Sequence, residues 1–538
     1  MIRRILPVCI AFALALIASC SKRESAVDEG IRTQTLLVGN LAEPQDLDPH
    51  IDTAYTDMNV LMAIFEGLTV LDEKTSEALP GVADHWQASP DGLVYTFHLR
   101  PNAKWSNGDP ITSHDFAYSF QRILTPGFAG EYSYMLWPIK NAEAFNTGKI
   151  HDFASVGIAT PDDATLRLTL ERPTPYLPSL AAHPTWCPVH RATIEKFGRM
   201  DQRSTKWTRA GNLVGNGPFS LTEWTPNARI VVTKNPLYWD AASTRLNKII
   251  FFPIESADVE ERNFRSGQLH VTWDLPVSKI AAYRAQTPSP FRNDALLDIL
   301  YLNFNIKKPP FDNPLVRRAL ALAIDREAVS RSVFENVWPA AHVITPPNCG
   351  SYLPPEGLKD DFGEARRLLT EAGFSGGRGL PVLPLQVLND IRQPKLAEAL
   401  QAMWQRELGV QISIEPYEQK TWLQNQQTMS HTFGFLGWVG DYADPITFLS
   451  LFVTGGGNNW SGWANADYDR LLDQASHTAN AQARFKLFQQ AETLLLHDAP
   501  VAPLVNRTRA YLINPAVKNW DPATLGIHQY KKVYLQSP

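Results

Sequence analysis

The chain is poor in cysteine: four in 538 residues, and two of these, Cys9 and Cys20, fall within the first twenty. That excludes a disulfide-stapled scaffold. Cys187 and Cys349 lie far apart in sequence, so a bridge between them is allowed in an oxidising compartment but not demanded. Basic charge is not in excess. The formal net charge is −5, which argues against nucleic acid as the main partner, because phosphate binding needs a basic face. No apolar run reaches the ~18–20 residues of a helical membrane span. Gly-X-Y periodicity, internal repeats and low-complexity tracts are all missing. The 40 prolines beside 31 glycines therefore read as fixed loops and edge strands. Also missing are G-x-S-x-G, G-x-x-x-x-G-K-[ST], H-E-x-x-H and G-x-G-x-x-G, so common hydrolase, nucleotide-binding, zincin and dinucleotide fingerprints have no counterpart.

What is present is a globular composition, 44% apolar and 20% charged, long enough for several domains. Arg3-Arg4 precede 14 apolar residues, Ile5 to Ala18, too short for a span and right for the core of a signal peptide. The run ends Ile17-Ala18-Ser19-Cys20, which resembles a bacterial lipobox. The resemblance implies a signal over 1–19, cleavage before Cys20 and a lipid on its sulfur; the alternative is an ordinary secretory signal with an incidental cysteine. Residues 20–30, small and charged, read as a tether between that anchor and the folded body. The expected place is the periplasmic or cell-surface side of a bacterial membrane.

Along the body, strand signals at Thr35–Asn40, Val94–Leu99, Ala164–Glu171, Lys248–Pro253, Leu296–Asn305, Val382–Leu388, Val410–Pro416 and Leu504–Tyr511 alternate with helical periodicity. A hairpin is expected around Thr225-Pro226-Asn227. Helices are predicted over Asn59–Thr69, Thr112–Leu124, Ala257–Arg265, Gln393–Leu408, Gln482–Leu496 and, as one long helix with Pro314 at its first position, Asn313–Phe334. The stretch before residue 210 is β-rich and irregular, and 300–500 is the clearest α/β unit.

Two constellations invite chemistry. His183, Cys187 and His190 have short zinc-like spacing, but Pro184 and Pro188 interrupt any helix and a fourth ligand is missing, so a buried cysteine with ordinary histidines is the preferred reading. Asp441 and Asp444 form a carboxylate pair that would need a raised pKa and a facing partner to act in hydrolysis. No metal or cofactor is expected, and the chain does not read as an enzyme.

Several stretches in order and spacing resemble one family. Gly215-Asn216-Gly217-Pro218-Phe219, Glu223-Trp224 and Asn235-Pro236-Leu237-Tyr238-Trp239 are similar to the most characteristic segment of the solute-binding proteins of peptide ABC importers, of the oligopeptide- and dipeptide-binding type. Trp105–Arg122, Pro314–Arg326, Glu364–Phe374, Tyr468–Leu504 and Gly437–Pro445 (GWVGDYADP) resemble further stretches of that family. The resemblance implies an α/β fold in which two lobes close like a clamp, with an additional β-rich domain inserted in the first lobe. Carried over, 31–80, 205–295 and 505–538 form the first lobe, 81–204 the additional domain and 296–504 the second lobe. It implies peptides as ligands, a membrane permease with ATPase subunits as partner, and a monomer with no cofactor.

The resemblance also implies a site. A binder of varied peptides reads their backbone and termini, taking the ligand as an added strand. Backbone at Ala42, Glu43 and Pro44, and at Gly437, Trp438 and Val439, would bracket the ligand; Pro44 offers only its carbonyl. Asp441 would pair with the ligand's α-ammonium, which cannot be desolvated alone without a cost of several kcal/mol; otherwise Asp441 is a turn residue bonded locally. Trp438 walls a side-chain pocket or packs in the core. Tyr132 and Tyr134 would face the cleft from the additional domain, and Asn303 would lie near the hinge. Two departures stand out: Glu418-Gln419-Lys420-Thr421 lacks the family's pocket tryptophan, and 432–437 (TFGFLG) contains no arginine to anchor a short peptide's carboxylate. The same clamp around a metal chelate, haem, opine or glycan, a sensing lipoprotein without a transporter, and a hydrolase are the competing readings.

Overall fold

The structure, a computed structural model, describes residues 24–390 and 392–537. The signal peptide and Cys20 lie outside the described residues. Three main sheets organise the chain. In the first, Thr35–Gly39 runs parallel to Lys248–Phe252, and Arg229–Lys234 and Phe219–Thr225 follow antiparallel. Asn227, at φ 58°, makes the expected hairpin turn, a left-handed conformation that asparagine tolerates. The second sheet has the order Ala83–Ala88, Val94–Leu99, Thr165–Thr169, Ile158–Asp162 and is wholly antiparallel. Its period-two pattern is real: Tyr95, Phe97, Leu99, Leu166 and Leu168 are buried, on one face of the pleat. The third sheet has the order Ile412–Tyr417, Leu383–Leu388, Phe433–Val439, Phe291–Phe304, Val501–Leu512.

The first two sheets share one hydrophobic core, which runs from Leu36 through Trp105, Phe116 and Trp186 to Tyr530. The third sheet has a separate core on each face, one around Leu302, Phe304, Trp404 and Phe433 and one around Ile299, Phe448, Tyr468 and Phe488. Phe291–Phe304 and Val501–Leu512 are unusually long strands. They pair from Phe291↔Leu512 to Asn303↔Val501 with a register shift between Ala295 and Ile299. At their far end Val271 bridges both Val38 and Ile513. The chain therefore passes between the two bodies along a bulged two-stranded ribbon, and a bulge is where a ladder bends.

Three sequence expectations need correction. Part of the 20–30 tether is helix, Ala26–Thr33: Ser25 caps it by accepting from Asp28 N, and Val27 and Gly30 are buried. Val27 N donates to Gly267 O at 3.0 Å, and a Cβ on Gly30 would lie 2.5 Å from Thr35 O, so the segment docks against the body. The helix placed over Asn59–Thr69 is Tyr55–Ile64. The long helix Asn313–Phe334 is two, Pro314–Leu322 and Arg326–Phe334. Asp325 starts the second by accepting from Ala328 N at 2.7 Å. The break also lets Arg326 turn inward, where it is fully buried, pairs with Asp360 and donates from Nε to Pro503 O at 2.7 Å. A buried guanidinium requires such partners, and they are available only with the chain broken there.

Candidate functional site

Strand Phe433–Val439 has one complete edge and one open edge. On one side it pairs antiparallel with Phe291–Phe304 from Phe304↔Phe433 to Asp298↔Val439. On the other, Leu383–Leu388 joins it only at Phe433 and Gly434. From Phe435 to Val439 that second edge has no strand partner among the described residues. Unpaired N–H and C=O groups in a row are a template for one more strand. Gly437 is exposed there, and Trp438 and Val439 are half-buried. Trp438 does two things: it packs on the core beside Ile299, and its Nε1 donates to Thr447 Oγ1 at 3.3 Å.

Beyond the strand, Gly440 N donates to Leu297 O at 2.7 Å and closes the ladder. Asp441 follows. Its carboxylate Oδ2 accepts from the Tyr134 hydroxyl at 3.0 Å. Burial pushes its pKa up to about 6, against the lowering effect of that hydrogen bond. Tyr132 and Tyr134 pack edge to face with ring centroids 5.8 Å apart, and Tyr132 packs likewise on His183 at 5.4 Å. Asp441 thus closes one side of a cavity whose other walls include Met62, Ser179, His183, Leu525 and Gln529. It is an acceptor-only group with one donor bond, in a site that penalises its charge.

Asp444 has a different task. It is buried, takes two donors from Arg484, caps Ile446 N at 3.1 Å, and is not a catalytic partner of Asp441. Arg484 lies over the Tyr176 ring at 5.1 Å, and Tyr176 stacks on Tyr442 at 5.0 Å with rings 1° from parallel. Tyr176 and Arg484 were not singled out by sequence reasoning, because only the folded chain brings 176, 442 and 484 together.

The other segment expected at the site is the loop after Thr35–Gly39. Leu41 turns with φ 55°, placing Ala42 and Glu43 half-exposed while Pro44 is buried. The Glu43 carboxylate faces away: it accepts from Trp224 Nε1 at 2.6 Å and Asn227 N at 3.0 Å. Only backbone is left to offer at Glu43. The loop is held from below. Arg122, fully buried, donates from Nη1 to Asp48 Oδ1 at 2.9 Å and from Nη2 to Asp48 Oδ2 at 2.5 Å.

Asn303 lies away from Asp441 along the strand ladder. It sits opposite Gly434, at the far end of the ladder, and its buried amide donates to Trp460 O at 3.2 Å and meets His431 Nε2 at 3.0 Å. The zinc-like trio is structural. His183 is half-buried, desolvation pushes its pKa down to about 3, and it caps Thr185 N; His190 bonds Asp109 and Thr193. Cys187 and Cys349 are both free and buried. No group of three metal-binding side chains occurs among the described residues, and no helix among them is long and apolar enough to cross a membrane.

The chain matches the family model of the bacterial extracellular solute-binding proteins, family 5 Middle, over residues 77–460. It is 35% identical over 535 residues to the periplasmic oligopeptide-binding protein OppA of Salmonella typhimurium, covering 97% of this chain and 96% of that protein. It is 32% identical over 529 residues to the dipeptide-binding protein DppE of Bacillus subtilis, covering 95% and 94%. The unliganded open form of the murein tripeptide-binding protein MppA superposes with a TM-score of 0.83 at 31% identity, covering 94% of this chain and 97% of that one. The complex of Haemophilus influenzae OppA with the peptide RPPGFSPFR superposes with 0.75 at 30% identity, covering 94% and 99%. The three sheets, the ribbon between them and these matches across nearly the whole chain agree: the protein belongs to the bacterial extracellular solute-binding proteins, family 5.

Proposed function

We propose that this protein is the capture component of an ABC importer for peptides. It takes a peptide in extended form between two closing lobes and hands it to a membrane permease driven by ATPase subunits. The observation that carries this reading is the open edge from Phe435 to Val439 ending beside the half-buried carboxylate of Asp441. An extended peptide completes the edge with main-chain hydrogen bonds, which do not depend on side-chain identity. Its α-ammonium then replaces the solvent that Asp441 lacks. Ala42, Glu43 and Pro44 contribute backbone groups from the facing loop, Trp438 walls one side-chain pocket, and Tyr134 orients the carboxylate. The lobes are assigned as 31–80, 205–295 and 505–538 for the first, 296–504 for the second, and 81–204 for the additional domain. The protein acts as a monomer, is exported, and is held to the membrane by lipid on Cys20; radiolabelled palmitate should enter the full chain in a bacterial host and be lost in Cys20→Ser.

The test is isothermal titration of the processed protein with a short peptide and its N-acetylated form. The free peptide should bind, and acetylation or Asp441→Ala should each weaken it by about a hundredfold or more, the scale of removing one partner of a desolvated ion pair. Equal binding of both forms would remove Asp441 from the site. Native mass spectrometry of the purified protein should release a mixture of short peptides; a single non-peptide species would overturn the ligand class.

A further inference from the structure

We infer that Arg507 forms an anion subsite in the cleft that reads a carboxylate placed within the first few residues after the ligand's free amine. The inference rests on the peptide reading and adds a charge preference to it. Strand Val501–Leu512 carries Arg507 and Arg509 two residues apart, hence on one face of the sheet. The Arg507 guanidinium lies directly against the Cα of Gly437: a Cβ there would fall 2.7 Å from Nη2 and 3.1 Å from Cζ. Gly437 is itself exposed at the open edge. The missing side chain at 437 is therefore what admits a cation to the strand that a ligand would join.

Arg507 is not consumed by its neighbour. Its Nε and Nη2 both reach Asp298 Oδ1 at 2.7 Å. A guanidinium has five N–H donors in a fork, so one carboxylate oxygen leaves most of them unused, and 30% of the side chain remains exposed against 9% for Asp298. The second guanidinium adds to the positive field. Arg509 lies over the Trp273 ring at 4.2 Å, donates from Nε to Trp273 O at 3.1 Å, and its Nη1 is buried without a partner. Tyr55, 6.4 Å from Trp273 between ring centroids, has a hydroxyl held protonated by burial and by Asp298, and it lies in the field of both Arg507 and Asp441. It is a neutral donor in the field of both ends.

Spacing sets the ligand chemistry. Gly437 and Asp441 are four residues apart, at most ~13 Å of extended chain, and a bound strand advances ~3.3 Å per residue. With its amine on Asp441, a peptide reaches Arg507 by about its fifth residue at the latest, and earlier by the reach of the two side chains toward each other. The carboxylate is then either the C-terminus of a short peptide or an acidic side chain near the start of a longer one. Both give the charge-assisted fork that arginine favours.

The experiment reads affinity ratios within each protein, so a general loss of binding in a variant does not mimic the result. The probes are trialanine against trialanine amide, and hexa-alanine with glutamate against glutamine at its second residue. In the wild type at least one pair should differ about tenfold or more in favour of the carboxylate. The first pair identifies the terminal carboxylate and the second the side chain. Both ratios should fall to near one in Arg507→Gln, and also in Arg507→Gln with Asp298→Asn, which removes the ion pair together and leaves no buried charge unpaired. Ratios near one in the wild type, while hexa-alanine still binds, overturn the subsite and leave the peptide reading standing. So does a preference that survives in both variants. Failure of hexa-alanine and every other probe to bind the wild type overturns the peptide reading itself.

Discussion

At the scale of single residues, Asp441 is a carboxylate that pays for its position. Burial raises its pKa to about 6, so in the empty protein ionisation costs the folded state. The sign follows from linkage: a carboxyl whose folded pKa exceeds its unfolded value contributes stability below about pH 4 that is lost as the pH rises through about 6. Asp441→Asn should therefore leave unchanged or raise the melting temperature of the ligand-free protein at pH 8, with a gain on the order of 2 kcal/mol at most, while abolishing peptide binding. A fall in melting temperature would contradict the assignment. Ligand binding titrates the same group. Affinity for a free-amine peptide should be flat from about pH 6 to 7 and fall toward tenfold per unit below about 6, where the α-amine, with a pKa near 8, stays charged. The Tyr134 hydrogen bond lowers the Asp441 pKa, so Tyr134→Phe should move that midpoint upward in a calorimetric pH series.

At the scale of elements, the proposed site depends on a loop that has no regular structure of its own. The backbone at Ala42, Glu43 and Pro44 is held in place by the Asp48–Arg122 pair beneath it, with Arg122 also stacked over Phe128 at 4.3 Å. Arg122 lies on helix Ser113–Leu124, so that helix props the chain just after the loop at 42–44. Arg122→Ala leaves Asp48 charged and buried. It should cost about 3–5 kcal/mol in chemical denaturation, whereas a surface arginine such as Arg199 should cost almost nothing. The helix itself was legible in sequence, since Thr112 and Asp115 form the capping box and Phe116, Phe120 and Ile123 form the buried face. The role of Arg122 was not: one arginine on an amphipathic helix looks like a solvated residue until the chain at 48 folds under it.

At the scale of the whole molecule, a set of aromatic contacts ties residues near 134 and 176 to the turn after Phe433–Val439. Tyr134 reaches Asp441, and Tyr176 stacks on Tyr442, braced by Arg484. These contacts stand beside the bulged ribbon of Phe291–Phe304 and Val501–Leu512, the hydrogen bond from Leu297 N to Thr524 O and the apolar cluster of Leu275, Ile280 and Tyr283 with Val337 and Leu512. Motion of one body against the other then bends the ribbon and breaks the aromatic latch, the hinge class of rearrangement. Tyr176→Ala should increase the radius of gyration of the ligand-free protein in small-angle scattering and speed peptide release several-fold, since a stacked pair is worth ~0.5–1.5 kcal/mol. An unchanged scattering curve with unchanged release would show that the latch does not govern opening.

Sequence by itself determined the class of fold, most strands and helices, and the position of the one carboxylate proposed to meet a peptide amine. These are written in local periodicity, capping residues and a contiguous stretch, Gly437 to Pro445, that folds as a unit. It misjudged the length of the helix at 313 and the 20–30 tether, where distant partners decide: Asp360 and Pro503 for Arg326, Gly267 and His270 for the segment at 26–30. Only the tertiary structure placed Arg507 at the vacancy of Gly437 and Tyr176 on Tyr442. Burial and charge pairing between residues far apart in the chain leave no local pattern, because each partner looks ordinary until desolvation makes its neighbour necessary.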